Sequence, residues 1–275
     1  MLLAGLIGLS GCGGSTSDTG SGKPAIAQLP ASDAVVLGRR DGKLVAGIAV
    51  RPSGDATATF IAPIATAADV GPVTIDGAKT TSCGVGCYLG KTRRARIVVV
   101  RHGGRTLRFD LGLRQPAAPL LTRIERTYRR ARSLEYTQRT ESGLGPTVVA
   151  HWTEIAPDSF AYRIDRGAQA IVIGNRRWDR DPGKPWKASK TLESNAITPP
   201  WGNGHPLTNA HILQRTPSRV VLSFLGADRS YPAWFTVTID PRTTQIRNID
   251  MNAPSHFMHS TYRDWNQVIA LQPPK

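Results

Sequence analysis

Between residues 31 and 113 the chain alternates short apolar runs with turn residues. Ala34–Leu37, Leu44–Val50, Ala56–Ile61, Val73–Ile75, Tyr88–Leu89, Arg94–His102 and Thr106–Leu111 each read as a strand. Arg40-Asp41-Gly42, Pro52-Ser53-Gly54, Asp76-Gly77 and Gly103-Gly104 supply turn chemistry between them. Short strands at roughly ten-residue spacing predict two antiparallel sheets packed face to face.

A segment at 114–119, containing Gln115-Pro116-Ala117-Ala118-Pro119, reads as a linker. Leu120–Arg132 then carries the clearest helical period. Leu121, Ile124, Tyr128 and Ala131 recur at spacings of three and four and form an apolar stripe. Arg123, Arg126, Arg130 and Glu125 occupy the other faces, with Glu125 and Arg129 spaced for an i,i+4 pair.

After the helix the period returns to two. Leu134–Glu141, Thr147–Ile155, Phe160–Asp165, Gln169–Gly174 and Arg176–Asp179 predict consecutive strands, and the short turns between them imply antiparallel pairing. Pro182–Gly204 reads as a loop. His211–Thr216, Arg219–Leu225, Ala233–Ile239 and Ile246–Asn252 predict four more strands, and His256–Asn266 closes the chain as a short helix or an extended segment. The expected fold class is mainly β, with one helix making the second part α+β.

The 275 residues suggest about two domains. Gly 27 and Pro 20 favour turns and strands over helices. The net charge of +15 is spread on both sides of Pro116 and forms no concentrated arm. No groove-reading motif or aromatic-basic platform accompanies it, so no nucleic-acid partner is expected. Anionic head groups or cell-wall polymers suit the charge; a merely soluble Arg-rich surface suits it equally.

Enzyme chemistry has no sequence support. The chain holds no Gly-x-Ser-x-Gly elbow, phosphate-cradling Gly loop or His-Glu-x-x-His. Asp179 and Asp181 lie beside Arg177 and Arg180 and read as a solvated charge cluster. Met251, His256, Met258 and His259 are the sharpest polar cluster. Thioether and imidazole together suit copper, whereas packing methionines with surface histidines is the other reading. On an extended segment His256 and Met258 share one face and His259 points the other way.

All six Trp follow residue 150: Trp152, Trp178, Trp186, Trp201, Trp234 and Trp265. They either form a core or line a hydrophobic cavity. Trp152, Trp178 and Trp234, with Tyr128, Phe160 and Tyr162, are the cavity candidates; Arg123, Arg126 and Arg130 are the candidates for holding an anionic head group. Cys83-Gly84-Val85-Gly86-Cys87 can close a disulfide, with a metal or redox role as the alternative.

The leader Met1–Ile7 is mostly apolar, and Leu9-Ser10-Gly11-Cys12 resembles the lipobox of bacterial lipoproteins. No Lys or Arg precedes the apolar stretch, which a start further upstream would explain. The resemblance implies a signal peptide over 1–12, lipidation of Cys12, and an extracytoplasmic protein anchored to the cell membrane by lipid. Residues 13–30 then form a flexible tether, Gly- and Ser-rich in its first half. Outside that leader no apolar run approaches the about 20 residues a bilayer span needs. An exported compartment would also keep Cys83 and Cys87 oxidised.

Residues 31–113 resemble the Ig-like domain appended to actinobacterial copper-resistance membrane proteins, through Cys83-Gly84-Val85-Gly86-Cys87-Tyr88 and Phe109-Asp110-Leu111. Residues 120–275 resemble the lipoprotein-carrier fold of LolA, LolB, the RseB-type sensors and the mycobacterial LppX and LprG lipoproteins. The matching features are Leu120, Tyr128 and Arg132 leading into Ser133-Leu134-Glu135-Tyr136, the hairpin at 238–243 and the strand Ile246–Met251. That resemblance implies an open antiparallel half-barrel with a covering helix. It also implies non-catalytic binding of a lipid or other hydrophobic ligand. Copper handling and an envelope sensor or scaffold with a protein partner are the alternatives.

Overall fold

The computed structural model describes residues 29–93, 96–143, 145–191, 197–202, 206–226 and 232–274. Cys12 and the rest of the leader lie outside the described residues. The first nine strands are β1 (Val35–Asp41), β2 (Leu44–Val50), β3 (Asp55–Ile61), β4 (Val73–Ile75), β5 (Ala78–Lys79), β6 (Thr81–Gly84), β7 (Cys87–Lys91), β8 (Ile97–His102) and β9 (Arg105–Asp110). They form a five-stranded sheet ordered β1-β2-β3-β7-β6 and a four-stranded sheet ordered β5-β4-β8-β9. One core joins the two sheets, with Ile48, Phe60, Ile75, Val98 and Phe109 buried in it. Inside this half Asp41 is buried and doubly held, by His102 Nε2 at 2.6 Å and Arg105 Nη1 at 2.7 Å.

The rest comprises β10 (Gln115–Pro116), α1 (Ala118–Arg129), β11 (Ser133–Glu141), β12 (Val148–Ile155), β13 (Ser159–Ile164), β14 (Gln169–Ile173), β15 (Arg176–Arg180), β16 (Lys187–Lys190), β17 (Leu207–Arg215), β18 (Val220–Gly226), β19 (Ala233–Ile239), β20 (Ile246–Ala253) and β21 (His256–Arg263). All twelve strands share one antiparallel sheet, ordered β10-β17-β18-β19-β20-β21-β11-β12-β13-β14-β15-β16. The order joins two meanders at one seam, where β21 pairs with β11 from Glu135↔Arg263 to Glu141↔Phe257. The sheet is open, with β10 and β16 at its edges. The molecule is thus mainly β and antiparallel, with one helix among the described residues.

Helix α1 starts with a proline in its first turn, where a missing N–H costs nothing. Its apolar stripe of Leu120, Leu121, Ile124 and Tyr128 is buried against one face of the large sheet, here called the inner face. Leu134, Leu222, Phe235, Ile249 and Tyr262 meet it there. Arg126 and Arg129 in the last turn complement the helix dipole.

Several expectations need correction. The 114–119 linker is structured: Gln115 and Pro116 pair with Ile212 and His211 as an edge strand, where a proline is tolerated, and the helix begins at Ala118. Gly112 locks this junction, because a Cβ there would lie 1.7 Å from the Leu213 carbonyl oxygen that Leu113 N–H bonds at 2.8 Å. Glu125 turns to Trp201, whose Nε1 donates to it at 3.0 Å, instead of pairing with Arg129. Strand β16 lies in the expected loop, and β5 and β6 were not foreseen. The 256–266 segment takes the extended one of its two expected forms, over His256–Arg263.

The two halves also share a core. Ala34, Val36, Val45, Ala49 and Ile61 pack on Leu225, Trp234 and Phe257 of the large sheet's outer face. Trp234 fits there because Gly38 and Gly47, register partners on β1 and β2, present no side chain to it.

Candidate functional site

Strand alternation places one aromatic row across the inner face. Register partners run Tyr262↔Tyr136↔Trp152↔Tyr162 through β21, β11, β12 and β13. Successive ring centroids are 4.9, 5.8 and 5.0 Å apart, and Tyr136 and Trp152 stack with only 6° between their planes. At the helix end Tyr128 meets Tyr262 edge-on at 5.9 Å and Trp265 at 5.5 Å. Past the helix-covered core, Phe160, Tyr162, Ala170 and Val172 form a second buried cluster. Trp152 packs against both clusters and bridges them.

The neighbouring inner-face row runs Leu134↔Glu154↔Phe160↔Val172 and sets one carboxyl among apolar partners. Tyr136 donates its hydroxyl hydrogen to Glu154 Oε1 at 3.0 Å. Glu154 Oε2 and Trp152 Nε1 are both shut off from solvent and have no hydrogen-bond partner among the described residues. Burial pushes the Glu154 carboxyl up to about 7, while the bond from Tyr136 pulls the other way. Burial likewise raises the hydroxyls of Tyr136, Tyr128 and Tyr262. A buried acceptor or donor left unpaired costs roughly 1–3 kcal/mol, so this pair is the least satisfied part of the inner face.

Of the six cavity candidates, the structure brings Trp152, Phe160 and Tyr162 together and sets Tyr128 in the adjoining helix core. Two lie elsewhere. Trp234 is on the outer face, between the two halves, because it alternates with Phe235 along β19. Trp178 pairs with Ile171, one step out of phase with Ala170 and Val172, so it also faces outward and stacks under Arg176 at 5.0 Å. Arg123 and Arg126 are exposed on α1, off its buried stripe, and Arg130 is exposed at its C-cap. Glu154, Tyr136 and Tyr262 were not among the site candidates read from the sequence, and Trp265 was named only with the other tryptophans. The alternation Ala150, Trp152, Glu154 was the available signal for the first of them.

Met251, His256, Met258 and His259 do not converge. Met251 and Met258 are cross-strand partners, and the Met258 sulfur accepts a hydrogen bond from Gln138 Nε2 at 2.9 Å. His259 faces the other way and bonds Asp250 Oδ1 at 2.7 Å. His256 is half-buried, and burial lowers its imidazole below the usual value. Cys83 and Cys87 are disulfide-bonded, with Cα atoms 5.1 Å apart. Two depressions, of about 260 and 200 Å³, open on the outer face, one beside His151, Arg163 and Trp186 and the other beside Arg40, Arg139 and His259.

Fold and site together define a mainly β protein whose open antiparallel sheet presents an aromatic inner face under helix α1. A solved structure of a LolA superfamily protein from Nitrosomonas europaea is similar over 55% of this chain and 94% of that one, at 12% identity and a TM-score of 0.29. No family model matches the chain, and neither does any curated protein. Ligand and activity are therefore read from the site itself.

Proposed function

We propose that this protein is a non-catalytic binder of a hydrophobic or amphiphilic molecule, whose apolar part lies along the inner face of β11–β14. One observation carries the reading: the aromatic row continues past the helix-covered core onto strands that α1 does not reach. Rings ranked side by side offer a long apolar track, and burial there yields about 25 cal/mol per Å² of apolar area. The lipobox-like run ending at Cys12 and the tether after it support an extracytoplasmic, lipid-anchored location. The Cys83–Cys87 bond suits an oxidising compartment. The orders β6-β7-β3-β2 and β5-β4-β8-β9 correspond to the D-E-B-A and C′-C-F-G sheets of an immunoglobulin-type sandwich, which supports an Ig-like first domain with β1 added at the edge.

The test is organic extraction of the full chain purified after export, with native mass spectrometry of the same sample. A lipid should co-purify with the protein and be lost from Trp152→Ala. A bare protein that also fails to take up a fluorescent acyl-chain probe would refute the reading.

A further inference from the structure

We propose that the inner-face site reads an uncharged hydroxyl on its ligand, whose O–H donates to Glu154 Oε2 while its oxygen accepts from Trp152 Nε1. This rests on the binding reading above and names the head group that goes with the apolar chain.

Two residues apart on β12, Trp152 and Glu154 point to the same face, about 6–7 Å apart along the strand. One offers an orphan donor and the other an orphan acceptor. A single small group placed between them must therefore both accept and donate. An alkyl carboxylate accepts only, and its charge would oppose Glu154. An alkylammonium could pair with the carboxylate but donates only, so it would leave the indole N–H unpaired and facing a positive charge. A hydroxyl satisfies both atoms at once.

Tyr136 holds the pair in place. Its ring stacks on Trp152 and its hydroxyl bonds Glu154 Oε1, so neither side chain is free to turn away toward solvent. Glu154 has no basic partner among the described residues, and its register neighbours Leu134 and Phe160 are apolar. The nearest cation along its row is Arg177, opposite Val172 on β15 and bonded to Asp179. The carboxyl is therefore not committed to a structural ion pair.

The experiment compares three sixteen-carbon probes on the intact protein at about pH 8: hexadecanol, hexadecanoate and hexadecylammonium, each displacing a fluorescent acyl-chain reporter. Hexadecanol should bind at least about tenfold more tightly than either ion, and Trp152→Phe, which keeps an apolar ring but loses the N–H, should weaken it about tenfold. Glu154→Gln, nearly isosteric and the less disruptive variant, should narrow the gap between hexadecanol and hexadecanoate. Equal affinities for all three, unmoved by either variant, or tightest binding of hexadecylammonium, would overturn the hydroxyl assignment and leave chain binding standing. Failure of every probe to bind would instead overturn the binding reading itself, and this inference with it.

Discussion

Tyr136 is hydrogen-bonded to Glu154 diagonally across the β11–β12 pair, two residues from direct opposition, so a buried carboxyl on one strand is tied to a buried phenol on the next. The folded-state value of about 7 stands above the ordinary 4.5. The native state thus holds this proton more tightly than the unfolded chain does. Stability from this group is full below about pH 4.5, falls as pH rises toward 7, and levels off above that. The window corresponds to roughly 3 kcal/mol. Urea unfolding of wild type and Glu154→Gln should show the variant gaining by about that amount between pH 4.5 and 8. A difference that stays constant with pH would contradict the raised carboxyl.

A Cβ on Gly47 would lie 2.4 Å from Trp234 Cζ2, and one on Gly38 would lie 2.4 Å from Trp234 Cβ. Gly47→Ala should lower stability by about 1–3 kcal/mol through overpacking. In a Trp234→Ala background the same change should cost much less, because the obstructing ring is gone. Additive losses in the double-mutant cycle would show that the contact is not the cause.

Gly112 has φ +54° and no room for a side chain against Leu213. Gly112→Ala combines backbone strain with a backbone clash, so the junction between β9 and β10 should loosen. Calorimetry should record a fall in Tm of about 4 °C or more. An unchanged Tm would mean that the junction carries little of the fold.

The Cys83–Cys87 loop is short, so its closure removes little freedom from the unfolded chain. Reduction should lower stability by only about 2 kcal/mol and leave the fold intact. A collapse of the far-ultraviolet dichroism on reduction would show the bond doing more than that.

Most strands were legible because each alternates one buried face with one wetter face, as Ala56, Ala58 and Phe60 do along β3. The strands that escaped, β5, β6 and β16, are wholly or mostly exposed and so leave no alternation to read. Strand β10 escaped because Gln115-Pro116 carries linker composition, and only its pairing with β17 makes it a strand. The site was half legible. Alternation alone separates Trp152 from its neighbours, but it cannot say that Trp234 faces a Gly–Gly pair some 190 residues earlier in the chain. Glu154 was passed over because a carboxyl on a strand normally marks the solvent side. Here apolar residues on both neighbouring strands override that rule.

The seam between β21 and β11 has a consequence for the order of assembly. Until residues 256–263 are available, the meanders β11–β16 and β17–β20 have no hydrogen bonds to each other, and each presents a bare strand edge along β11 and β20. Such edges invite pairing with other chains. Strand β21 therefore acts as a zip, bringing Tyr262 beside Tyr136 and completing the aromatic row only when the large sheet becomes continuous.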